Sequence, residues 1–141
     1  MIITPYKFKA RYYETDKMGI VHHSNYIRWF EEARVHVLDD AGISFTEIEA
    51  MGILSPVLSC SCVYKIPVRF DDTVIIESNM PFYNGMRYEV TYSVKDEEGT
   101  VHAEGTTSHC FLGTDMKPIR LQKKFPDIYE LYLEIQKTLE N

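Results

Sequence analysis

The chain has few of the devices that hold secreted or membrane proteins together. Only three cysteines occur in 141 residues, Cys60, Cys62 and Cys110. That odd number, without framework spacing, leads us to expect reduced thiols and a cytoplasmic setting. No apolar run approaches the roughly 18 residues of a membrane helix. Met1-Ile2-Ile3-Thr4-Pro5-Tyr6-Lys7 lacks the basic start and apolar stretch of a signal peptide. Positive charge is also scarce: 15 Lys and Arg against 21 Asp and Glu leave a net charge of −6. Such a balance disfavours general nucleic-acid or anionic-membrane binding. No Gly-x-Ser-x-Gly, Gly-x-Gly-x-x-Gly, Gly-x-x-x-x-Gly-Lys or His-Glu-x-x-His occurs. Serine-elbow hydrolases, dinucleotide and P-loop enzymes and zinc proteases therefore lose ground. Linkers, repeats and low-complexity tracts are missing too, so residues 1–141 read as one domain.

Periodicity supplies the elements. Residues 3 to 13 alternate, with Tyr6, Phe8, Ala10 and Tyr12 on one face, and predict a first strand. Tyr26, Trp29, Phe30, Ala33, Val37 and Ala41 recur at helical spacing. Ser24 or Asn25 is the expected N-cap and Gly42 the stop. A short helix is expected from Phe45 to Met51. Alternation from Leu54 to Val68 places Cys60 and Cys62 on an apolar face, so both are expected as buried core thiols. Further strands are expected over residues 73–83, 87–95 and 100–112, joined by Asn84-Gly85 and Glu97-Glu98-Gly99 turns. A last helix is expected from Pro126 to Leu139. Turns this tight leave no room for parallel crossovers. The expected fold is thus α+β, a long antiparallel five-stranded sheet wrapped around a central helix, with a C-terminal helix. Apolar surface left uncovered predicts a homo-oligomer.

The chemistry concentrates in Tyr13-Glu14-Thr15-Asp16-Lys17-Met18-Gly19-Ile20-Val21-His22-His23-Ser24-Asn25-Tyr26. Asp16 precedes a Gly turn, and two histidines precede a helix start whose first N–H groups lack helical partners. A carboxylate beside such donors suits attack on a carbonyl. Taken alone, Asp16 fits a turn residue equally well, and His23 a cap-region or surface histidine. His22 and His23 point apart as neighbours, with no further ligand at metal spacing, so no metal is expected. His36, His102 and His109 read as ordinary helix, packing or surface residues.

The same segment, with Ile66-Pro67-Val68-Arg69-Phe70-Asp71-Asp72, resembles the hot-dog fold thioesterases. The nearest branch is that of the 4-hydroxybenzoyl-CoA thioesterases, including the bacterial Tol–Pal-associated acyl-CoA thioesterases. Its pattern is Asp-x-x-Gly-x-Val, a step that often ends in His, then a small residue, Asn and Tyr. Asp16, Gly19, Val21, His23, Ser24, Asn25 and Tyr26 occupy those positions. The resemblance implies an acyl-CoA thioesterase without cofactor. Asp16 would act as nucleophile or general base, and the His23 backbone N–H as oxyanion donor. A carboxylate of ordinary acidity is ionised at neutral pH yet weakly basic, which favours direct attack. The His23 ring would donate to the thioester or place water, and Tyr13, His22 and Ser24 would contact substrate. His22 stands where the branch is often aromatic. Coenzyme A carries phosphates, and Arg87, Lys117 and Arg120 lie by family position near the nucleotide, across a subunit interface. The assembly would be a dimer or a dimer of dimers, a homotetramer. An acyl-carrier-protein thioesterase, a hot-dog dehydratase or hydratase, and a non-catalytic acyl-thioester binder stay open beside this.

Overall fold

A computed structural model describes residues 1–140. Five strands, β1 (Tyr6–Lys9), β2 (Val57–Tyr64), β3 (Thr73–Tyr83), β4 (Arg87–Lys95) and β5 (Val101–Cys110), form one antiparallel sheet. Their order across it is β1-β3-β4-β5-β2. Helix α1 (Ser24–Asp40) lies on its inner face, and α2 (Phe45–Ala50) follows. After the sheet come α3 (Leu121–Lys124) and α4 (Pro126–Glu140). This is the hot-dog arrangement that the resemblance implies.

The helical stripe explains the packing. Tyr26, Trp29, Phe30, Ala33 and Val37 are buried against Val74, Ile76, Val90, Tyr92, Val94 and Ala103 of the sheet. Phe30 stacks on Tyr92, with ring centroids 4.4 Å apart and planes within 7°. Ile128, Tyr132 and Ile135 of α4 are buried, and Tyr132 packs edge-on against Phe111. One charged residue accompanies the stripe inward. The Arg34 guanidinium donates through Nη1 to the Tyr88 hydroxyl at 2.7 Å and faces His109 Nδ1 at 3.2 Å, while Nη2 reaches Glu31 at 2.7 Å.

Several expected boundaries move. The first strand stops at Lys9 instead of residue 13, because the chain pairs with β3 only as far as Thr73. Asp71 and Asp72 then exchange backbone bonds with Ala10, and Tyr12–Glu14 turns back as a 3-10 helix. The strand expected over residues 54–68 shortens to β2. Pro56 and Pro67, which have no N–H to donate, flank it. Helix α1 begins at Ser24 with His23 as N-cap, not after Ser24 or Asn25, and α3 is an element that periodicity missed.

Cys60 and Cys62 are not the core thiols expected: Cys60 is exposed and Cys62 partly buried. Their strand is the sheet's outer edge, paired on one side only, so α1 covers little of it. The outer face of the central strands carries Thr91, Ser93, Thr106 and Ser108. Exposed apolar side chains gather at the β2 edge and beyond it: Val57, Leu58, Val63, Tyr64, Ile66 and Phe70.

Candidate active site

Asp16 sits at the tip of a tight hairpin built by its own backbone. Its N–H donates to the Ile20 carbonyl and its carbonyl accepts from Gly19 N–H, both at 3.0 Å. Gly19 takes φ +77°, a left-handed conformation that glycine adopts without strain. The carboxylate contributes as well, Oδ1 accepting from Met18 N–H at 2.8 Å. Asp16 is therefore the turn residue that its local sequence suggests, but only one oxygen is used. No hydrogen bond among the described residues engages Oδ2.

The hairpin is clamped at its base. Thr15 bridges Val21, Ile20 bridges Arg69, and Val21 N–H donates to the Val68 carbonyl at 2.7 Å. The chain then enters α1 through His22 and His23. His22 N–H donates to the Glu14 carbonyl at 2.8 Å, and Asn25 Nδ2 reaches the same oxygen at 2.8 Å.

The helix start is already partly occupied. Ser24 N–H donates to His22 Nδ1 at 3.2 Å, Asn25 N–H to the His22 carbonyl and Tyr26 N–H to the His23 carbonyl. His22 thus caps the helix with its ring, a role the sequence did not suggest. Since Ser24 N–H can only donate, Nδ1 is the unprotonated nitrogen and Nε2 carries the proton in the neutral ring. Among the described residues the His23 N–H finds no acceptor in the chain.

The His22 and His23 rings do not point apart as expected of neighbours but lie 4.1 Å from each other, and Tyr64 of β2 donates its hydroxyl to the His23 carbonyl at 3.2 Å. Burial pushes the Tyr26 hydroxyl up to about 12, so Tyr26 stays neutral and serves packing, not base chemistry. His22, His23 and Ser24 are exposed, Asp16 is partly buried, and Tyr13 is 81% exposed. In one chain this arrangement is a surface and not an enclosed pocket. Exposed Tyr12, Met18 and Phe70 also belong to this region, with Tyr12 edge-on to Phe70.

Arg87, Lys117 and Arg120 do not join Asp16 within the chain. Arg87 opens β4 opposite Cys110, while the site lies where Tyr64 pairs with Ala103, toward the other end of β5. The seven residue steps between these pairs separate them by about 24 Å, at roughly 3.4 Å per residue. The cation beside the hairpin is Arg69, whose Nη1 approaches Gly19. Arg69, Tyr64 and Glu14 are the residues of this region that sequence reasoning passed over. Arg69 was visible only as part of the Ile66–Asp72 motif.

A cleft of about 520 Å³ lies elsewhere, between Ser61, Thr91, Thr106, Glu77 and Glu104. It offers carboxylates where a nucleotide needs cations. Among the described residues no three His, Cys, Asp or Glu side chains gather in a metal-ligating group. No helix there is long and apolar enough to cross a membrane.

Known proteins share both sequence and fold. The family model described as thioesterase-like superfamily matches residues 10–130. A Bacillus subtilis protein, YneP, provisionally named an acyl-CoA thioesterase, is 33% identical over 138 residues, covering 97% of this chain and all of that one. A 1,4-dihydroxy-2-naphthoyl-CoA hydrolase of Prochlorococcus marinus is 30% identical, across 91% of this chain and 87% of its own. The crystal structure of a DHNA-CoA thioesterase from Staphylococcus aureus superposes with a TM-score of 0.89 at 36% identity. It covers 97% of this chain and 93% of that chain.

Proposed function

The chain is a thioester hydrolase of the thioesterase-like superfamily, and from that premise we propose that it hydrolyses an acyl-CoA with Asp16 and the His23 backbone N–H. One observation carries this reading. The hairpin leaves one Asp16 oxygen unengaged, and the helix start leaves one N–H without an acceptor, within a single clamped segment. A thioester carbonyl laid there would place its oxygen toward His23 N–H, where negative charge develops. Removing a comparable donor elsewhere raises the barrier by about 2.7–4 kcal/mol.

Two routes use these atoms. In one, an Asp16 oxygen adds to the carbonyl carbon, the C–S bond breaks and the thiolate leaves. The resulting mixed anhydride is then hydrolysed by water. In the other, Asp16 takes a proton from water as the water oxygen adds, and the same thiolate departs. The His22 Nε2–H and the His23 ring would donate to substrate or water. Tyr13 and Ser24 would contact the substrate.

The site also reads as half of a larger one. Its openness, the exposed Tyr12, Tyr13, Tyr64 and Phe70, and the apolar β2 edge support closure by a second copy of the chain. Arg87, Lys117 and Arg120 would reach the phosphates of coenzyme A from that partner, and Arg69 from the same chain. A dimer, or a dimer of dimers, fits this reading. The three unpaired thiols are in keeping with a cytoplasmic setting.

The test is thiol release from short, medium, long and aromatic acyl-CoAs, with Asp16→Asn alongside. Turnover that falls about 100-fold or more in the variant is expected, the scale of a lost acid–base group. Equal turnover by both proteins would remove Asp16 from the chemistry. No turnover on any acyl-CoA would turn the reading toward an acyl-carrier-protein substrate, a dehydratase or hydratase, or a binding role.

A further inference from the structure

Glu14 is the most heavily bonded residue of the site region, and no step above uses it. It is only 5% exposed. Its two carboxylate oxygens are taken by different donors. Oε1 accepts from Arg11 N–H at 2.8 Å, and Oε2 from the Trp29 indole N–H at 2.7 Å. Arg11 Nη1 lies 3.5 Å from Oε2 and balances the charge. The Glu14 carbonyl is shared as well, between His22 N–H and Asn25 Nδ2.

These four hydrogen bonds join three pieces of chain. The Trp29 bond ties residue 14 to the second turn of α1. The two bonds at the carbonyl tie it to the turn that presents His23 N–H. Asp16 follows two residues later, at the head of the clamped hairpin. We propose that Glu14 is a positioning residue that holds Asp16 and the His23 N–H in register for the same carbonyl. Glu14 does not itself meet the substrate. It acts by fixing the two groups that do. A displacement of about 1 Å between reacting groups is enough to cost about 100-fold in rate.

The residue type follows from the donors. Two N–H groups arrive at two separate oxygens, so the side chain must accept at both ends. Glutamine has the same shape but one donor end. In Glu14→Gln its NH₂ must face either the indole or the Arg11 N–H, donor against donor, in a buried place. The helix or the hairpin has to shift to relieve that contact.

The inference rests on Asp16 and His23 being the reacting pair, and the experiment reads it in two independent ways. Glu14→Gln is assayed on the acyl-CoA that the wild type turns over best. The folded fraction at assay temperature is fixed by circular dichroism. The expected result is kcat lowered about 10-fold or more per folded molecule with KM within about 3-fold, the signature of lost alignment and not of lost binding. In parallel, amide NMR of the intact protein follows two signals. One is the indole N–H of Trp29, the one tryptophan in the chain, and the other is the His23 amide. Both are expected to move in Glu14→Gln.

An unchanged kcat per folded molecule overturns the proposal, whatever the loss of stability. If the wild type hydrolyses no thioester, the functional reading fails and the His23 amide decides alone. A shifted signal sustains the positioning role, and an unmoved one overturns it. Should Glu14→Gln not fold, Trp29→Phe removes the indole donor but keeps a ring. The same kcat, KM and His23 readouts then apply.

Discussion

Between pH 6.5 and pH 3 the protein is expected to lose about 5 kcal/mol of folding stability through His109 alone. This side chain is completely buried in β5. Burial first, and the Arg34 guanidinium second, lower its pKa from 6.5 to about 3, with the Pro56 backbone carbonyl pulling weakly the other way. Arg34 only donates, so the Nδ1 it faces is unprotonated, and Nε2–H donates to Thr107 Oγ1 at 2.8 Å. Above pH 6.5 neither the folded nor the unfolded chain binds this proton. As the pH falls, the unfolded chain takes it up and the folded chain refuses it until about pH 3. Each pH unit in that window costs about 1.4 kcal/mol.

A loss of that size matches the whole stability of a modest domain, about 5–15 kcal/mol. Asp40 acts with the same sign lower down. The Thr4 backbone N–H holds its carboxyl below 3.8, so its contribution goes as the pH falls through that region. Urea unfolding of wild type and His109→Gln at pH 7, 6, 5 and 4.5 separates the contributions. Gln can accept from Arg34 and donate to Thr107 without titrating. A wild-type slope near one proton per molecule and a flat variant are expected between pH 6 and 4.5. Coincident slopes would assign acid lability to other groups.

Gly105→Ala is expected to destabilise the protein by about 3 kcal/mol or more, at or above the usual range for overpacking. A Cβ built at Gly105 lies 2.2 Å from Phe30 Cε2 and 2.7 Å from the Ser61 carbonyl oxygen. Neither neighbour can withdraw cheaply. Phe30 is fully buried and stacked on Tyr92. Ser61 belongs to β2, and its neighbour Cys62 pairs with Gly105 itself. Relief must come from moving α1 off the sheet or opening the β2–β5 ladder. Chemical denaturation of Gly105→Ala, Phe30→Leu and the double variant tests this. The smaller side chain should recover part of the loss, so the double variant should be more stable than the sum of the two changes predicts. Simple additivity would mean that Phe30 is not what the methyl group meets.

Both predictions depend on positions that are mute in the sequence. Gly105 sits in an alternating Thr/Ser strand without a turn signal, and His109 looks like any strand histidine. What the sequence did determine is local. The Tyr26–Val37 stripe gave the central helix, because i, i+3, i+4 spacing needs no knowledge of the partner surface. Asn84-Gly85 and Glu97-Glu98-Gly99 gave the hairpins, and with them the antiparallel sheet, because turn chemistry is read within a few residues. The Asp16–Tyr26 motif singled out the candidate site segment, and its resemblance gave the family.

Tertiary structure decided the rest. Alternation is the same for a central and an edge strand, so only the strand order placed Cys60 outside the core. Arg34 lies on the helical stripe by spacing, and the partners that accept its charge there, Tyr88 and His109, are 54 and 75 residues away. Glu14 became a junction because its donors come from several segments of chain. Arg87, Lys117 and Arg120 lie a strand's length from Asp16, a distance that no spacing along the chain records. Sequence sets what each short stretch can do, through propensity, period and turn chemistry. Which polar groups find buried partners, and which stay free for a substrate, is settled only when distant segments meet.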